Sequence, residues 1–469
     1  MTKPIPKDVK VYEVPLTQLS MITLSDCCMH QSDIRIPMYI ITEKQLNPEI
    51  MRRAVEIETE RNDALRLVYF KKQGKLYEYF APSLPPAEIP FRDFKNGSAE
   101  DLTDWLKEDA AKPLPFLKGQ TFRIKLFRTF DNKYGVYAVF SHASMDLYGI
   151  LAFFSDLMYV YDALENGTDL PQKLSSFEEV VCRQLEIERD SASINAGIEF
   201  FKSLFEKDGP SFYAGIDAMR QLNITRKRKK DPKARYIDLE PSYTLNDKSA
   251  TLCCHIDRDL TEQINEFCLS SSVSLQNLVY IAMRTYLSKI NEYTDDVYFN
   301  FLLNRRATLK EKSCGGTCAS LMPLRTVISK DKTFSEALCF AKSTTLSIMR
   351  YANVPSSVFS TLIDEIEHRK PGASTASVLF TVCPSFSLKM PDGWNCDLGG
   401  VSTGYFPLPA YAIILPSPCD GGLNFWYEYR SHDFTEEDFK NLHEGTLKVI
   451  KAGLDNPDIT IEDLLNKVL

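Results

Sequence analysis

Apolar residues recur along this chain at two spacings, near 3.6 and near 2 residues, and the switches between them lay out its elements. Asn47 followed by Pro48 marks a helix start, with Ile50, Ala54 and Ile57 on one face, and the next segment, RNDALRLVYF, turns extended. Phe122, Ile124 and Leu126 then alternate with Arg123 and Lys125, a turn falls at Asp131 and Asn132, and 136–140 is a second apolar run. The pattern predicts an antiparallel hairpin. That run ends at Ser141 and His142, and over 150–165 the spacing is helical until Asn166 and Gly167, a good C-terminal stop. His142 is therefore predicted at a strand-to-helix junction, where a side chain opens onto a cleft rather than into a sheet.

Over 206–248 the periodicity fades, Gly, Pro and charge increase, and basic residues run from Arg226 to Arg235. This stretch is read as a linker between an N-terminal lobe, 1–205, and a C-terminal lobe, 249–469. The second lobe predicts a strand at 252–256, a helix from Asp259, a long helix after Ser274 and a strand at 297–303. A helix over 334–350, strands at 378–382 and 423–429, and a last helix opened by a capping box of Thr435 with Asp438 complete it. The fold class read from this order is α/β of the α+β sandwich type, in two lobes.

Length agrees, since 469 residues exceed the ~150 of a typical domain about threefold. Hydrophobic residues at 44% and charged residues at 25% are those of an ordinary folded chain, not of a disordered or coiled-coil one. The net charge of −8 and a pI near 5.5 provide no positive field for a nucleic-acid backbone. The start, MTKPIPKDVKVYEV, has no apolar run behind its lysines, and the longest candidate span, 148–164, is broken by Ser155, Asp156 and Asp162. No membrane span and a cytoplasmic location are expected. Twelve cysteines are dilute, and Cys27 with Cys28 and Cys253 with Cys254 are adjacent, a poor disulfide layout, so reduced, buried thiols are expected. Cys314 and Cys318 have CxxxC spacing without a second pair at zinc spacing, and no metal site is expected. GxGxxG, GxxxxGK[ST], HExxH and GxSxG are all absent.

The chemistry must then come from another constellation. Of six histidines, His142 alone lies at a predicted strand end, in SHASMDLYGI, with Asp146 four residues on and Gly149 in the helix start behind it. An imidazole in a junction loop can present one nitrogen to a substrate, and its ordinary pKa near ~6.5 suits a general base. On HxxxD spacing alone a structural histidine is the commoner reading. Adjacent residues of a strand point to opposite faces, so Ser141 is not read as a nucleophile activated by His142.

The segment with His142 and Asp146, after a strand and before an amphipathic helix, resembles the HxxxD motif of the coenzyme-A-dependent acyltransferase superfamily. That superfamily includes chloramphenicol acetyltransferase, the plant BAHD acyltransferases, polyketide-associated acyltransferases and the condensation domains of nonribosomal peptide synthetases. The stretch NRRATLKEKSCGGTCASLMPLR is similar to a condensation-domain segment, with Arg306, Gly316 ten residues later, and Pro323 seven after that, followed by Leu324 and Arg325. PLTQLSMITL near the start, RNDALRL, and DNPDITIEDLL near the end extend the resemblance over nearly the whole chain. Two departures stand out. Condensation domains usually read HHxxxDG, and this chain has Ser141 for the first histidine and Leu147 for the glycine, which leans toward free-standing acyltransferases. NCDLGG at 395–400 looks distantly like the DFGWG motif of BAHD enzymes and is read as a structural loop.

The resemblance implies two chloramphenicol acetyltransferase-like lobes in a V, with His142 midway along a tunnel reached by donor and acceptor from opposite faces. It implies that Asp146 turns away from substrate to pair with Arg306 of the other lobe, fixing the loop. His142 would be the catalytic base for acyl transfer from a coenzyme A thioester to a small-molecule hydroxyl or amine, with no covalent intermediate and no tightly bound cofactor. Thr381, Ser385 and backbone amides near Gly149 are the candidate oxyanion donors. The basic run at 226–230 is read as a solvated linker, with anionic donor phosphates or an acidic carrier protein as the alternative partner. Two alternatives accompany this reading: a stand-alone condensation enzyme using an acyl or peptidyl carrier protein in trans, and a degenerate, non-catalytic recruitment platform.

Overall fold

The computed structural model describes every residue except 1–5, 7–8, 27–33, 86–87, 120, 239–245, 370–372, 384–387 and 418–419. Its two compact units are not consecutive halves of the sequence. One comprises Met1–Arg189, Asn304–Ala319 and Ser387–Tyr405; the other comprises Asp190–Leu303, Ser320–Phe386 and Phe406–Leu469. Arg306 thus belongs to the same unit as His142 and Asp146, which corrects its expected place in the other lobe.

The first unit is built on a five-stranded sheet in the order Cys396–Gly400, Arg35–Thr42, Tyr134–Ser141, Phe122–Arg128, Phe91–Asp93. All neighbours are antiparallel except the last pair. The predicted hairpin pairs Phe122 with Phe140 and Arg128 with Tyr134. All eight residues of Tyr134–Ser141 are buried, because both faces of this central strand are covered. Val136, Ala138 and Phe140 point into the larger core, while Tyr137 and Val139 join Phe127, Leu106 and Trp105 on the opposite face. Against the first face lies the helix Leu147–Asn166, whose Phe153 meets Phe140 edge to face at 5.1 Å. This helix is long and apolar enough to cross a membrane, but its apolar residues Ile150, Phe153, Phe154, Leu157 and Tyr161 are buried in the unit's own core. It ends at Gly167 with φ +66°, the left-handed stop that the sequence predicts. The helix Pro48–Arg61 starts as predicted, on an Asn47 side chain that accepts from the Glu49 N–H. NCDLGG is not a loop: Cys396–Gly400 is an edge strand paired with Met38–Thr42.

The second unit carries a six-stranded mixed sheet in the order Ala319–Val327, Asp296–Asn304, Leu379–Val382, Ala410–Pro416, Leu423–Arg430, Ser249–Ile256. Leu379–Val382 runs parallel to both of its neighbours. The helices Arg258–Ser270, Leu275–Ile290, Phe334–Arg350 and Glu436–Asp455 fall where the spacing predicts them, and Thr435 and Asp438 cap each other's backbone amides reciprocally.

Part of the stretch 206–248, expected as a linker, is instead packed into this unit. Phe212, Tyr213, Ala214, Ile216, Met219 and Leu222 lie in its core, while 227–233 is exposed. The basic run closes the helix Arg220–Lys229, where cations meet the negative end of the helix dipole. Arg228 and Lys229 both reach Asp238, at 2.9 and 2.5 Å. The expectation of buried thiols holds for Cys314, Cys318 and Cys383 but not for Cys253 and Cys339, which are exposed. Cys253 alternates outward on Ser249–Ile256, a strand at the rim of its sheet.

Candidate functional site around His142

The central strand of the first unit ends because its last carbonyl is claimed by a turn. Ser141 C=O accepts from the N–H groups of Ser144 and Met145, both at 3.0 Å, and from the Ser144 hydroxyl. His142 is the first residue beyond the strand, and its N–H donates to the Ile34 carbonyl at 2.6 Å. Four residues later comes Asp146, the N-cap of the helix Leu147–Asn166: φ is −103°, ψ is 177°, and Oδ1 accepts from Gly149 N–H at 2.8 Å.

Asp146 does more than cap. Its Oδ1 also accepts from Arg306 Nη2 at 2.9 Å, and its Oδ2 accepts from the N–H groups of Cys318 and Ala319 at 2.7 and 3.2 Å. Both residues are nearly sealed from solvent, Asp146 at 3% and Arg306 at 4% exposure. Burial pushes the Asp146 carboxyl up, but the guanidinium and the backbone donors outweigh it and hold the pKa below the usual carboxylate value. Arg306 Nη1 and Nη2 also donate to carbonyls, of Glu311 at 2.5 Å, Cys314 at 2.9 Å and Gly316 at 2.8 Å, while its Nε is buried without a partner. The ion pair expected from the resemblance is present, inside one unit.

Glycine is needed at two points of this junction. At Gly149 a Cβ would stand 2.5 Å from the Gly316 carbonyl oxygen, and at Gly316 (φ +86°) it would run into the Phe177 ring. Close approach lets the Gly316 carbonyl accept from Asp146 N–H at 3.1 Å.

Every oxygen of Asp146 is thus occupied, and none serves the histidine. His142 Nδ1 is buried without a hydrogen-bond partner, although the residue as a whole keeps part of its surface open. Desolvation pushes the imidazole pKa below its ordinary 6.5, so the ring is neutral at neutral pH. Ser141 Oγ is also buried without a partner, so no serine–histidine hydrogen bond exists.

The structure therefore brings together His142, Asp146, Gly149 and Arg306. Gly149 is moved to a new role, because its N–H is held by Asp146 rather than turned to an oxyanion. Thr381 lies half-buried on Leu379–Val382 in the second unit, and Ser385 falls outside the described residues. The amides of Cys318 and Ala319 were missed, since the sequence drew attention to the Cys318 thiol and not to its backbone. The glycine pair Gly315 and Gly316 was the available signal, marking where two backbones come close.

A condensation-domain family model matches residues 9–466. Surfactin synthase subunit 1 of Bacillus subtilis (strain 168) is 24% identical over 441 residues, covering 91% of this chain and 11% of that protein. The polyketide synthase-nonribosomal peptide synthetase phmA of Phaeosphaeria nodorum is 23% identical over 433 residues, with 91% and 10% covered. The chain thus spans about a tenth of the length of these curated relatives. Among solved structures, the starter condensation domain of rhizomide synthetase in complex with C8-CoA superimposes with a TM-score of 0.80 at 15% identity, covering 97% of each chain. The first condensation domain of the calcium-dependent antibiotic synthetase gives 0.78 at 14% identity, with 97% and 98% covered. Condensation domains transfer acyl or peptidyl groups and share the chloramphenicol acetyltransferase-like fold. With its family match running almost from end to end, this chain belongs to the condensation-domain family, within the coenzyme-A-dependent acyltransferase superfamily.

Proposed function

We propose that this chain transfers an acyl group from an acyl-CoA thioester to a hydroxyl or amine acceptor, with His142 as general base. One observation carries the reading. Asp146 is fully engaged by Arg306 and three backbone amides, which fixes the loop and leaves His142 neutral and unbonded at Nδ1. With Nδ1 enclosed, proton transfer falls to Nε2. His142 takes the acceptor proton as its oxygen or nitrogen attacks the thioester carbonyl; collapse of the tetrahedral intermediate breaks the carbon–sulfur bond, and the imidazolium returns the proton to the departing thiolate. No bond to the protein forms. Of the oxyanion donors expected, Gly149 is withdrawn and Thr381 stays with the proposal. Coenzyme A is a substrate here, not a resident cofactor, and the proposal sets the chain in the cytoplasm with that donor.

A second reading replaces coenzyme A with a carrier protein supplied in trans. It is favoured by the curated relatives, which are peptide synthetases about ten times the matched length. The test offers both donors, C8-CoA and a C8-loaded carrier protein, with leucine N-acetylcysteamine thioester as acceptor. Transfer from C8-CoA supports the first reading, and transfer from the carrier alone supports the second. In either case His142→Ala should lower kcat by about 10²–10⁴-fold; parental turnover in that variant overturns the role of His142.

A further inference from the structure

The peptide joining Ala143 to Ser144, one residue beyond His142, is held by a hydrogen-bonded chain that the proton transfer does not use. Tyr69 is completely buried, its ring fixed edge to face on Phe116 at 5.8 Å. Its Oη lies 2.9 Å from the Ala143 carbonyl and 2.6 Å from one terminal amide atom of Gln18. The other terminal amide atom of Gln18 is 3.2 Å from Glu78 Oε1. Gln18 and Glu78 are also completely buried, and among the described residues no cation pairs with Glu78, whose Oε2 has no partner.

Counting hydrogens fixes the direction of this chain. A phenol has one hydrogen to give. If Tyr69 gives it to Gln18, the buried Ala143 carbonyl loses its donor. If Tyr69 gives it to Ala143, then Gln18 must turn its NH2 toward Tyr69 and its carbonyl toward Glu78, and two acceptors would face each other unless Glu78 carries a proton. Only the second arrangement, with Glu78 neutral, gives the buried Ala143 carbonyl a donor without setting two acceptors against each other. Burial pushes the Glu78 carboxyl well above the usual range, and the charge of Glu188 adds to the effect.

We propose that neutral Glu78, Gln18 and Tyr69 form a one-way donor relay ending on the Ala143 carbonyl, and that this relay positions the His142 imidazole. The inference rests on His142 being the base. It concerns the backbone around that residue: the His142 N–H is tied to Ile34, and one residue on the Ala143 carbonyl is tied to Tyr69, so the ring is carried by a short segment pinned at both ends. Tyr69 is a positioning residue, since it touches no reacting atom.

The test is nitrogen NMR of the imidazoles in the full chain with labelled histidine, the His142 signal being the one of six lost in His142→Ala. Tyr69→Phe keeps the ring and removes the donor. Its His142 midpoint should move up toward 6.5 by about half a unit or more as the loosened loop admits water, and kcat with C8-CoA should fall while KM holds. Glu78→Gln still donates and should leave the midpoint at the parental value, whereas Glu78→Leu should shift it as Tyr69→Phe does. A parental midpoint in Tyr69→Phe overturns the relay; so does a Glu78→Gln shift as large as that of Glu78→Leu, because Glu78 would then be needed as an anion. Turnover by His142→Ala would instead overturn the catalytic reading and leave the NMR result standing.

Discussion

Two buried arginine–aspartate pairs, one in each unit, use the same functional groups to different ends. In the second unit Arg325 meets Asp296 side by side, Nε on Oδ1 at 2.9 Å and Nη2 on Oδ2 at 2.8 Å. The two residues sit on neighbouring strands, so the fork fastens one strand to the next. In the first unit Arg306 offers Asp146 a single nitrogen, and the other lone pairs of that carboxylate go to backbone amides of Gly149, Cys318 and Ala319. Asp146 thereby ties a helix start to a second segment of chain that lies about 170 residues on. A bidentate pair between strands holds two elements that would be adjacent in any case. The branched pair decides where a loop goes, and His142 rides on that loop.

The largest expected effects test this contrast directly. Asp146→Asn and Asp296→Asn each leave a buried guanidinium without its counter-charge, and each should destabilise its unit by about 3–5 kcal/mol in denaturant unfolding. Activity should separate them. Per folded molecule, Asp296→Asn should keep parental kcat, while Asp146→Asn should fall toward the level of His142→Ala. Equal losses of kcat in the two variants would erase the distinction. Replacing both members of the Arg325–Asp296 pair with apolar residues of similar volume should restore most of the stability. The same double replacement of Arg306 and Asp146 should not restore turnover, since the amides of Cys318 and Ala319 would lose their acceptor.

A smaller effect is expected at Gly149. Its absent Cβ faces the Gly316 carbonyl at 2.5 Å and the Gly316 nitrogen at 3.1 Å, and backbone cannot step aside as a side-chain tip can. Gly149→Ala should cost roughly 1–3 kcal/mol of stability, and kcat should fall with KM unchanged as the Asp146 cap is pushed from Gly316.

The histidines extend the same contrast to pH. His443 in the second unit is buried with Nδ1 3.1 Å from the Tyr427 hydroxyl, and desolvation lowers its pKa to about 4. His142 is also pushed down, but it has no partner at Nδ1. A lowered value means that the neutral, base-competent ring survives on the acid side of 6.5, so kcat/KM should stay flat from neutral pH through 6.5 and fall only below it. An acid limb at or above 6.5 would contradict the desolvated site. Stability should follow His443: the unfolded chain binds its proton first, so the second unit weakens as pH drops from 6.5 toward 4.

What the sequence disclosed follows the range of the physics involved. The hairpin ending at Ser141, the cap at Asn47, the stop at Gly167 and the capping box at Thr435 are set by neighbours within a few residues, and each is found where local chemistry puts it. The pairing of Asp146 with Arg306 joins residues 160 apart, and no local rule reaches that far; it came through family resemblance. The same distance hid the return of 304–319 to the first unit, because a long excursion leaves no mark on periodicity. Gly149 was misjudged for another reason: a sequence names residues but does not say which N–H groups are already taken. Cys396–Gly400 became a strand against its glycine content because an available edge outweighed intrinsic preference.

The smallest expected effect compares two helix starts. Leu147–Asn166 and Glu436–Asp455 are both 20 residues long, one capped by Asp146 and the other by Thr435. Thr435 accepts from Asp438 N–H at 3.2 Å at an exposed end, so when its hydroxyl is removed water can replace the lost acceptor. Thr435→Ala should therefore cost only about 1 kcal/mol and leave turnover untouched. The Asp146 cap has no water to fall back on, and its loss should exceed that of Thr435 severalfold. If Thr435→Ala proved as damaging as Asp146→Asn, capping alone would account for the importance of Asp146. A wide gap between them assigns the excess to the buried links with Arg306, Cys318 and Ala319, which are the contacts that hold the His142 loop in place.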